Sequence, residues 1–454
     1  MNSLWIRLAC ILPGLALMGW VLMDGPMIGS GIGFGLFEKL IFAFGVLTAL
    51  AGLLPLRFTA NYLAFFVMTV LMLVVAEIVL QSTVRGRYFS SNEFDERVLF
   101  KMRPGAERKF THLPANGGKT VSYRVNSDGY VGPELLPVGE RTRVVVFGDS
   151  FTHAEFSAYE DRFTTRLRGE LSERLGREVE VINAGVAGYG PDQILRRMQT
   201  ELDMLRPDLV IVNIFTGNDF GDLLRNRLYR LDETGRLVEN DYRLSPEQER
   251  QIALNRHELI LLRVLKDAWR RLSPSGPDHF KTFDPADWIE RAMAQHLREY
   301  KEFVVRGDNI VGEFSVDPYT VDIAVDPDLP SSRYKLRMMA AVLDAMKAEA
   351  DRAGVPLFIT AIPHPMDLLD GDHASGRIDK IAYPDYRPTR LTDALTGIAA
   401  ETGLPHLNLY APFKASDPEA LYLKGGDDHW NAAGQALAAK LVAIAVTGAG
   451  LLGE

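Results

Sequence analysis

Val144 to His153, VVVFGDSFTH, runs from a strand-like apolar stretch straight into Gly148-Asp149-Ser150. A serine hydroxyl becomes a useful nucleophile only when a base takes its proton. Far down the chain, GGDDHWNAAG (Gly425 to Gly434) offers His429 as that base. A carboxylate beside it would fix the imidazole tautomer and stabilise the imidazolium. Asp427 and Asp428 both stand close enough in sequence, and Asp427 is preferred. The oxyanion of a tetrahedral intermediate needs hydrogen-bond donors already in place. NAGVAGYGPDQ (Asn183 to Gln193) offers a backbone N–H in the glycine-rich turn at Gly188. Thr216-Gly217-Asn218-Asp219 offers the Asn218 amide, and the Ser150 N–H is a third donor. The chemistry such a set would perform is acyl transfer.

Each stretch also has a plainer reading. Gly-Asp-Ser can simply cap a helix. Gly-Asn-Asp is a turn on its own terms. Asp-Asp-His-Trp-Asn suits a polar loop before a helix, with Asn431 as its N-cap. Their meaning comes from where they fall among the elements. Arg143–Phe147, Val179–Asn183, Leu209–Phe215, Pro356–Ile362 and His406–Leu409 read as strands. Phe163, Leu167, Leu171 and Leu175 recur every four residues, which gives an amphipathic helix ending at Gly176. Ile194, Met198, Leu202 and Leu205 mark a second helix, and Tyr334–Ala353 a third. An Ala- and Leu-rich helix closes the chain after Asn431. Alternating strands and helices predict an α/β fold, a doubly wound (flavodoxin-like) parallel five-stranded sheet covered on both faces. In such sheets ligands bind beyond the carboxyl ends of the strands, where all four stretches fall.

The set resembles the SGNH hydrolases, the GDSL-like esterase and acyltransferase superfamily, over roughly residues 140 to 446. By that resemblance Ser150 is nucleophile and oxyanion donor. Gly188 closes an Asn-x-x-x-x-Gly block begun at Asn183, and Asn218 is the side-chain oxyanion donor. The family's last block is usually Asp-x-x-His, and here Gly426 stands three residues before His429. Asp427 with His429 and Trp430 instead gives an Asp-x-His-Trp block, similar to alginate O-acetyltransferase-type members. Asp428 is the alternative acid. The resemblance implies hydrolysis or transfer of an O-acyl ester through an acyl-serine, on an acyl ester or glycan substrate. It calls for no cofactor and no metal. A catalytically silent scaffold that binds glycan or assembly partners at the membrane is the alternative, and a lipid-facing lipase a third reading.

Composition sets the frame. The chain has 454 residues, 47% apolar and 24% charged, so it is not a disordered polymer. A net charge of -9 argues against nucleic acid as partner. The single cysteine, Cys10, rules out a disulfide framework. Residues 1–82 are expected to be a membrane anchor of three helices, Leu4 to Met23, Leu40 to Leu56 and Tyr62 to Gln81. A linker with a short hairpin is expected over 83–141, then the catalytic domain over 142–450 with a helical insertion near 221–335. Arg7 and Arg57 against Lys39, Arg85 and Arg87 do not decide the orientation. A multi-pass membrane protein with an extracytoplasmic, periplasmic catalytic domain is expected from the resemblance alone. Glu77 is expected to snorkel. His153 is expected at a surface or substrate position rather than as a rival base, and His364 at a plain loop position. His373 matches no metal-ligand spacing, and the remaining histidines, among them His296, are expected in solvent.

Overall fold

The structure, a computed structural model, describes residues 3–22, 36–83, 91–256, 259–261, 264, 285–313, 318–369, 378–425 and 427–453. His373, Gly426 and the SPSGPD loop lie outside the described residues. The chain divides into two compact units, one of Met1–Ser90 with Leu244–Pro277, the other of Ser91–Arg243 with Asp278–Glu454.

In the first unit the apolar N-terminal sequence forms α1 (Ser3–Leu22), α2 (Leu36–Ala51) and α3 (Leu56–Thr83). Two of them, α1 with 20 residues and α3 with 28, are long and apolar enough to cross a membrane. The expected third span is not met. α2 has 16 residues, about 24 Å at 1.5 Å per residue, short of the roughly 30 Å hydrocarbon core. α1 and α2 meet at small residues: a Cβ on Gly14 would lie 2.5 Å from the Ala49 nitrogen and 2.6 Å from the Gly45 oxygen. The Glu77 side chain has partners within this unit. Its carboxylate accepts the backbone N–H groups of Ile260 and Leu261 at 2.9 and 2.8 Å, and the Gln81 amide at 2.7 Å.

The second unit is built on β1 (Thr142–Gly148), β2 (Val179–Gly185), β3 (Leu209–Phe215), β4 (Leu357–Ile362) and β5 (His406–Asn408). All pairs are parallel, in the order β5-β4-β3-β1-β2. This is the doubly wound order expected from the alternation. β1, β3 and β4 are almost wholly buried and mostly apolar because both faces are covered, with Asn213 in β3 and Thr360 in β4 the polar interruptions. On one face α5 (Phe163–Leu175) packs with the C-terminal helix, buried through Phe163, Leu167, Leu171, Val442 and Val446. On the other, α6 (Pro191–Leu205) packs with α9 (Pro330–Ala353), the latter buried through Met338, Val342 and Met346. The C-terminal helix itself is α10 (Ala432–Gly448). Between β3 and β4 lie α7 (Asp219–Asn226), a short ribbon and α8 (Pro285–Tyr300). His296 of α8, expected in solvent, is fully buried and contacts the Tyr319 carbonyl at 2.9 Å through Nε2.

Where a linker is expected, the chain forms two antiparallel ribbons, Asn92–Asp95 with Leu99–Met102 and Glu107–Thr111 with Thr120–Arg124. The RVNSDGYVGPELLP stretch makes a tight turn with a bridge from Val125 to Val131.

The strand ends are glycines for a steric reason. α4 (Ser150–His153) lies directly on the tips of β1 and β2. A Cβ on Gly148 would come within 2.2 Å of Thr152 Oγ1, and one on Gly185 within 2.3 Å of the His153 nitrogen. Gly169, exposed inside α5, has open space around it. We expect Gly185→Ala to destabilise the protein by about 1–3 kcal/mol through overpacking. Gly169→Ala is expected to stabilise it by about 0.5–1 kcal/mol through helix propensity. Thermal unfolding of the full chain in detergent, followed by circular dichroism, reads both.

Candidate active site

Ser150 opens α4, immediately past the tip of β1. Asp149 caps this short helix by accepting the Phe151 N–H at 2.9 Å. Asn183, near the end of β2, braces it by donating to the Thr152 carbonyl at 2.8 Å. The serine therefore sits on a turn fixed from both strands, partly open to solvent.

His429 arrives on the loop before α10. Its Nε2 lies 2.6 Å from Ser150 Oγ, and its Nδ1 lies 2.6 Å from Asp427 Oδ1. The same carboxylate oxygen accepts the His429 backbone N–H at 2.9 Å, so the two-residue spacing makes a tight local clamp. Burial raises the Asp427 pKa, but the His429 ring and its backbone N–H outweigh this and hold it below the usual carboxylate range. Burial also disfavours the imidazolium of His429. The carboxylates of Asp427, Asp149 and Glu155 overcome that, and its pKa is pushed up to about 9.

The expected alternative acid stands elsewhere. Asp428 Oδ2 lies 3.1 Å from His364 Nε2. His364 Nδ1 accepts the Met366 N–H at 3.1 Å, so the proton sits on Nε2 and is donated to Asp428. His364 is no plain loop residue: it is 2% exposed and stacks on Phe215 at 5.5 Å. It also abuts Gly217, where a Cβ would come within 2.7 Å of the His364 ring. It thus links the turn after β3 to the loop carrying His429.

Trp430 anchors that loop from below. It is 1% exposed and packs edge-on against Phe151 at 5.1 Å and beside Phe413 at 5.5 Å. Asn431 caps α10 as expected, accepting from Ala433 and Gly434 at 2.8 and 3.2 Å.

The two expected oxyanion turns lie at the same sheet edge. Gly188 has φ +81°, a left-handed conformation that favours glycine. Its turn is tied to β1 because the Val186 N–H donates to the Gly148 carbonyl at 3.0 Å. Asn218 follows β3 and is 7% exposed, and its carboxamide oxygen has no partner among the described residues. Its turn is fixed by Asp219, which accepts the Phe215 N–H at 2.8 Å, and by Thr320, which donates to the Gly217 carbonyl.

His153 does not stand at the surface. It is 2% exposed, edge-on to Tyr123 at 4.6 Å. Burial, aided by Arg162 and His429, pushes its pKa down to about 3, so it stays neutral. Among the described residues no group of His, Cys, Asp or Glu is placed to hold a metal ion.

Three neighbours of the site carry no signal in the sequence. Phe156 lies edge-on to His429 at 4.8 Å. Glu155 beside it acts on His429 through its charge. Asn116, in the ribbon before the sheet, pairs with the Lys424 backbone in both directions at 2.9 and 2.8 Å. Nothing in spacing or periodicity joins residue 116 to residue 424; only the fold does.

No curated protein matches the chain at a significant level. Among solved structures, it is similar to a lipase/acylhydrolase from Enterococcus faecalis, at 15% identity and TM-score 0.33, covering 68% of this chain and 96% of that one. It is also similar to a catalytic mutant of an acetylxylan esterase from Geobacillus stearothermophilus, at 13% identity and TM-score 0.33, covering 68% and 96%. A two-domain esterase active on acetylated mannans is similar at 11% identity and TM-score 0.34, covering 70% and 51%. The assignment rests instead on the family profile described as GDSL-like Lipase/Acylhydrolase, which matches residues 146–437. That match runs from Val146 in β1 to Leu437 in α10 and takes in each of the four stretches that meet at this sheet edge: the chain belongs to the GDSL-like lipase/acylhydrolase family, the SGNH hydrolases.

Proposed function

We propose that this protein is a membrane-anchored serine esterase or O-acyltransferase that uses Ser150, His429 and Asp427 to cleave an O-acyl ester, acetyl above all, on an exported glycan. The observation that carries the reading is the unbroken contact from Ser150 Oγ to His429 to Asp427, 2.6 Å at each step. Nucleophile and base within hydrogen-bond reach, with the base oriented by a third group, is the arrangement that activates a serine.

In the first step Ser150 Oγ attacks the ester carbonyl carbon while His429 Nε2 takes its proton. Asp427 remains ionised and offsets the imidazolium charge. The oxyanion is held by the Ser150 and Gly188 N–H groups and the Asn218 amide. When the tetrahedral intermediate collapses, the bond to the alcohol breaks and His429 returns the proton to the leaving oxygen. The acyl-serine is then attacked by water, giving hydrolysis, or by a sugar hydroxyl, giving transfer. Either attack passes its proton to His429 and regenerates Ser150. The two apolar helices α1 and α3 support an anchor in the membrane, with the catalytic unit on the extracytoplasmic, periplasmic side.

With p-nitrophenyl acetate and the full chain in detergent, Ser150→Ala and His429→Ala are each expected to lose about a thousandfold or more in kcat/KM. Asp427→Asn is expected to lose about a hundred- to ten-thousandfold. Asp428→Asn keeps an acceptor for His364 and is expected to lose less than about tenfold. Undiminished turnover by Ser150→Ala would contradict the proposal. Adding acetylated glycan and free sugar acceptors then separates water from hydroxyl as the second nucleophile.

The pH dependence has a definite sign. His429 must be neutral to accept the serine proton, and below about pH 9 it is mostly imidazolium. We therefore expect kcat/KM to rise with pH about tenfold per unit and level off near 9. Asp427→Asn removes the main partner of the imidazolium, so its limb shifts to lower pH while its plateau falls.

A further inference from the structure

The leaving alcohol must come against His429, because Nε2 hands it the proton when the intermediate collapses. Surface continuous with His429 therefore meets the alcohol half of the ester, while the carbonyl oxygen lies towards the oxyanion donors. Among the described residues His429 has two ring neighbours, of different kinds. Phe151, 2% exposed and 5.0 Å away, belongs to the core. Phe156, 4.8 Å away and edge-on, is partly exposed.

From Phe156 the rings continue outward. Phe110 lies edge-on to Phe156 at 4.6 Å, and His112 edge-on to Phe110 at 5.2 Å. Both are partly exposed. They belong to the ribbon Glu107–Thr111 with Thr120–Arg124, which precedes the residues matched by the family. Hydrogen bonds fix the ribbon to the rest of the catalytic unit at its tip and along its second strand. Its tip is held by the reciprocal Asn116–Lys424 pair, three residues before Asp427. Its second strand is held by Arg162, which donates to the Ser122 carbonyl at 2.9 Å.

The strip is aromatic, and charged residues adjoin its members: Glu155 before Phe156 in the chain, and Arg108 on the same ribbon face as Phe110. The face of an aromatic ring is electron-rich. It suits the polarised C–H face of a sugar ring, whose hydroxyl edge then meets the charged neighbours. A long alkyl alcohol would call for continuous aliphatic surface instead.

We propose that Phe156, Phe110 and His112 form a subsite for the sugar ring of a carbohydrate ester, seating the leaving alcohol beside His429. This rests on the esterase reading above and names the part of the substrate that the ribbon recognises. The test uses the full chain in detergent with glucose pentaacetate, ethyl acetate and octyl acetate, comparing wild type, Phe110→Ala, Phe110→Tyr and His112→Ala. Phe110→Ala is expected to lower the ratio of kcat/KM for the sugar ester over ethyl acetate about five- to tenfold, mainly through KM. Phe110→Tyr restores the ratio. An unchanged ratio overturns the proposal, and so does a loss that falls on octyl acetate instead.

A second measurement does not depend on turnover. Saturation-transfer NMR with Ser150→Ala and methyl β-xylopyranoside should show contact to the sugar C–H protons, weakened by adding Phe110→Ala. No such contact overturns the subsite. Wild type inert towards all three esters, with sugar contact intact, would instead remove the esterase reading.

Discussion

A carboxylate, an imidazole and a hydroxyl must be held in one line at a surface that water can reach, although their partners come from opposite ends of the sequence. The Asp427–His429 contact is the constraint on which the rest depends. Burial works against charge on both groups, and their mutual attraction restores it. The pair is therefore maintained only while the loop keeps both residues in place, and much of the detail around it supports that loop: Trp430 sunk in the core, His364 holding Asp428, and Asn116 holding Lys424.

The sheet solves the other half of the problem. Parallel strands deliver Ser150, Gly188 and Asn218 to one edge, and glycine at the tips of β1 and β2 lets α4 lie close enough to present the hydroxyl. The polar side chains of Asp149, Asn183 and Asp219 are used on backbone groups at these turns. They tie these turns to the strand ends; under the proposed esterase reading, that would leave the oxyanion donors with little to reorganise.

Most of the sheet was legible because a mostly apolar run and an amphipathic repeat are strong local signals, as in β3 and α5. The placement of Ser150, Asn218 and His429 was legible because they follow strand ends or precede a helix cap. What was not legible depends on contacts between distant segments. His364 follows a strand in AIPHPMD and His296 lies among charged residues, and neither setting tells that one is locked to Asp428 and the other packs under Tyr319. The ribbon at 107–124 reads as a linker because its strands are short and its partners lie elsewhere. α2 reads as a span because composition was clear and length was not.

The central claim is that Ser150 is a nucleophile activated by His429. Labelling the full chain with a fluorophosphonate and mapping the adduct by peptide mass spectrometry tests it directly, without knowledge of the natural ester. The account predicts one adduct, on the peptide containing Ser150, formed faster as pH rises towards 9 and lost in His429→Ala. A folded chain that takes no label at Ser150, or takes it equally well without His429, would contradict it.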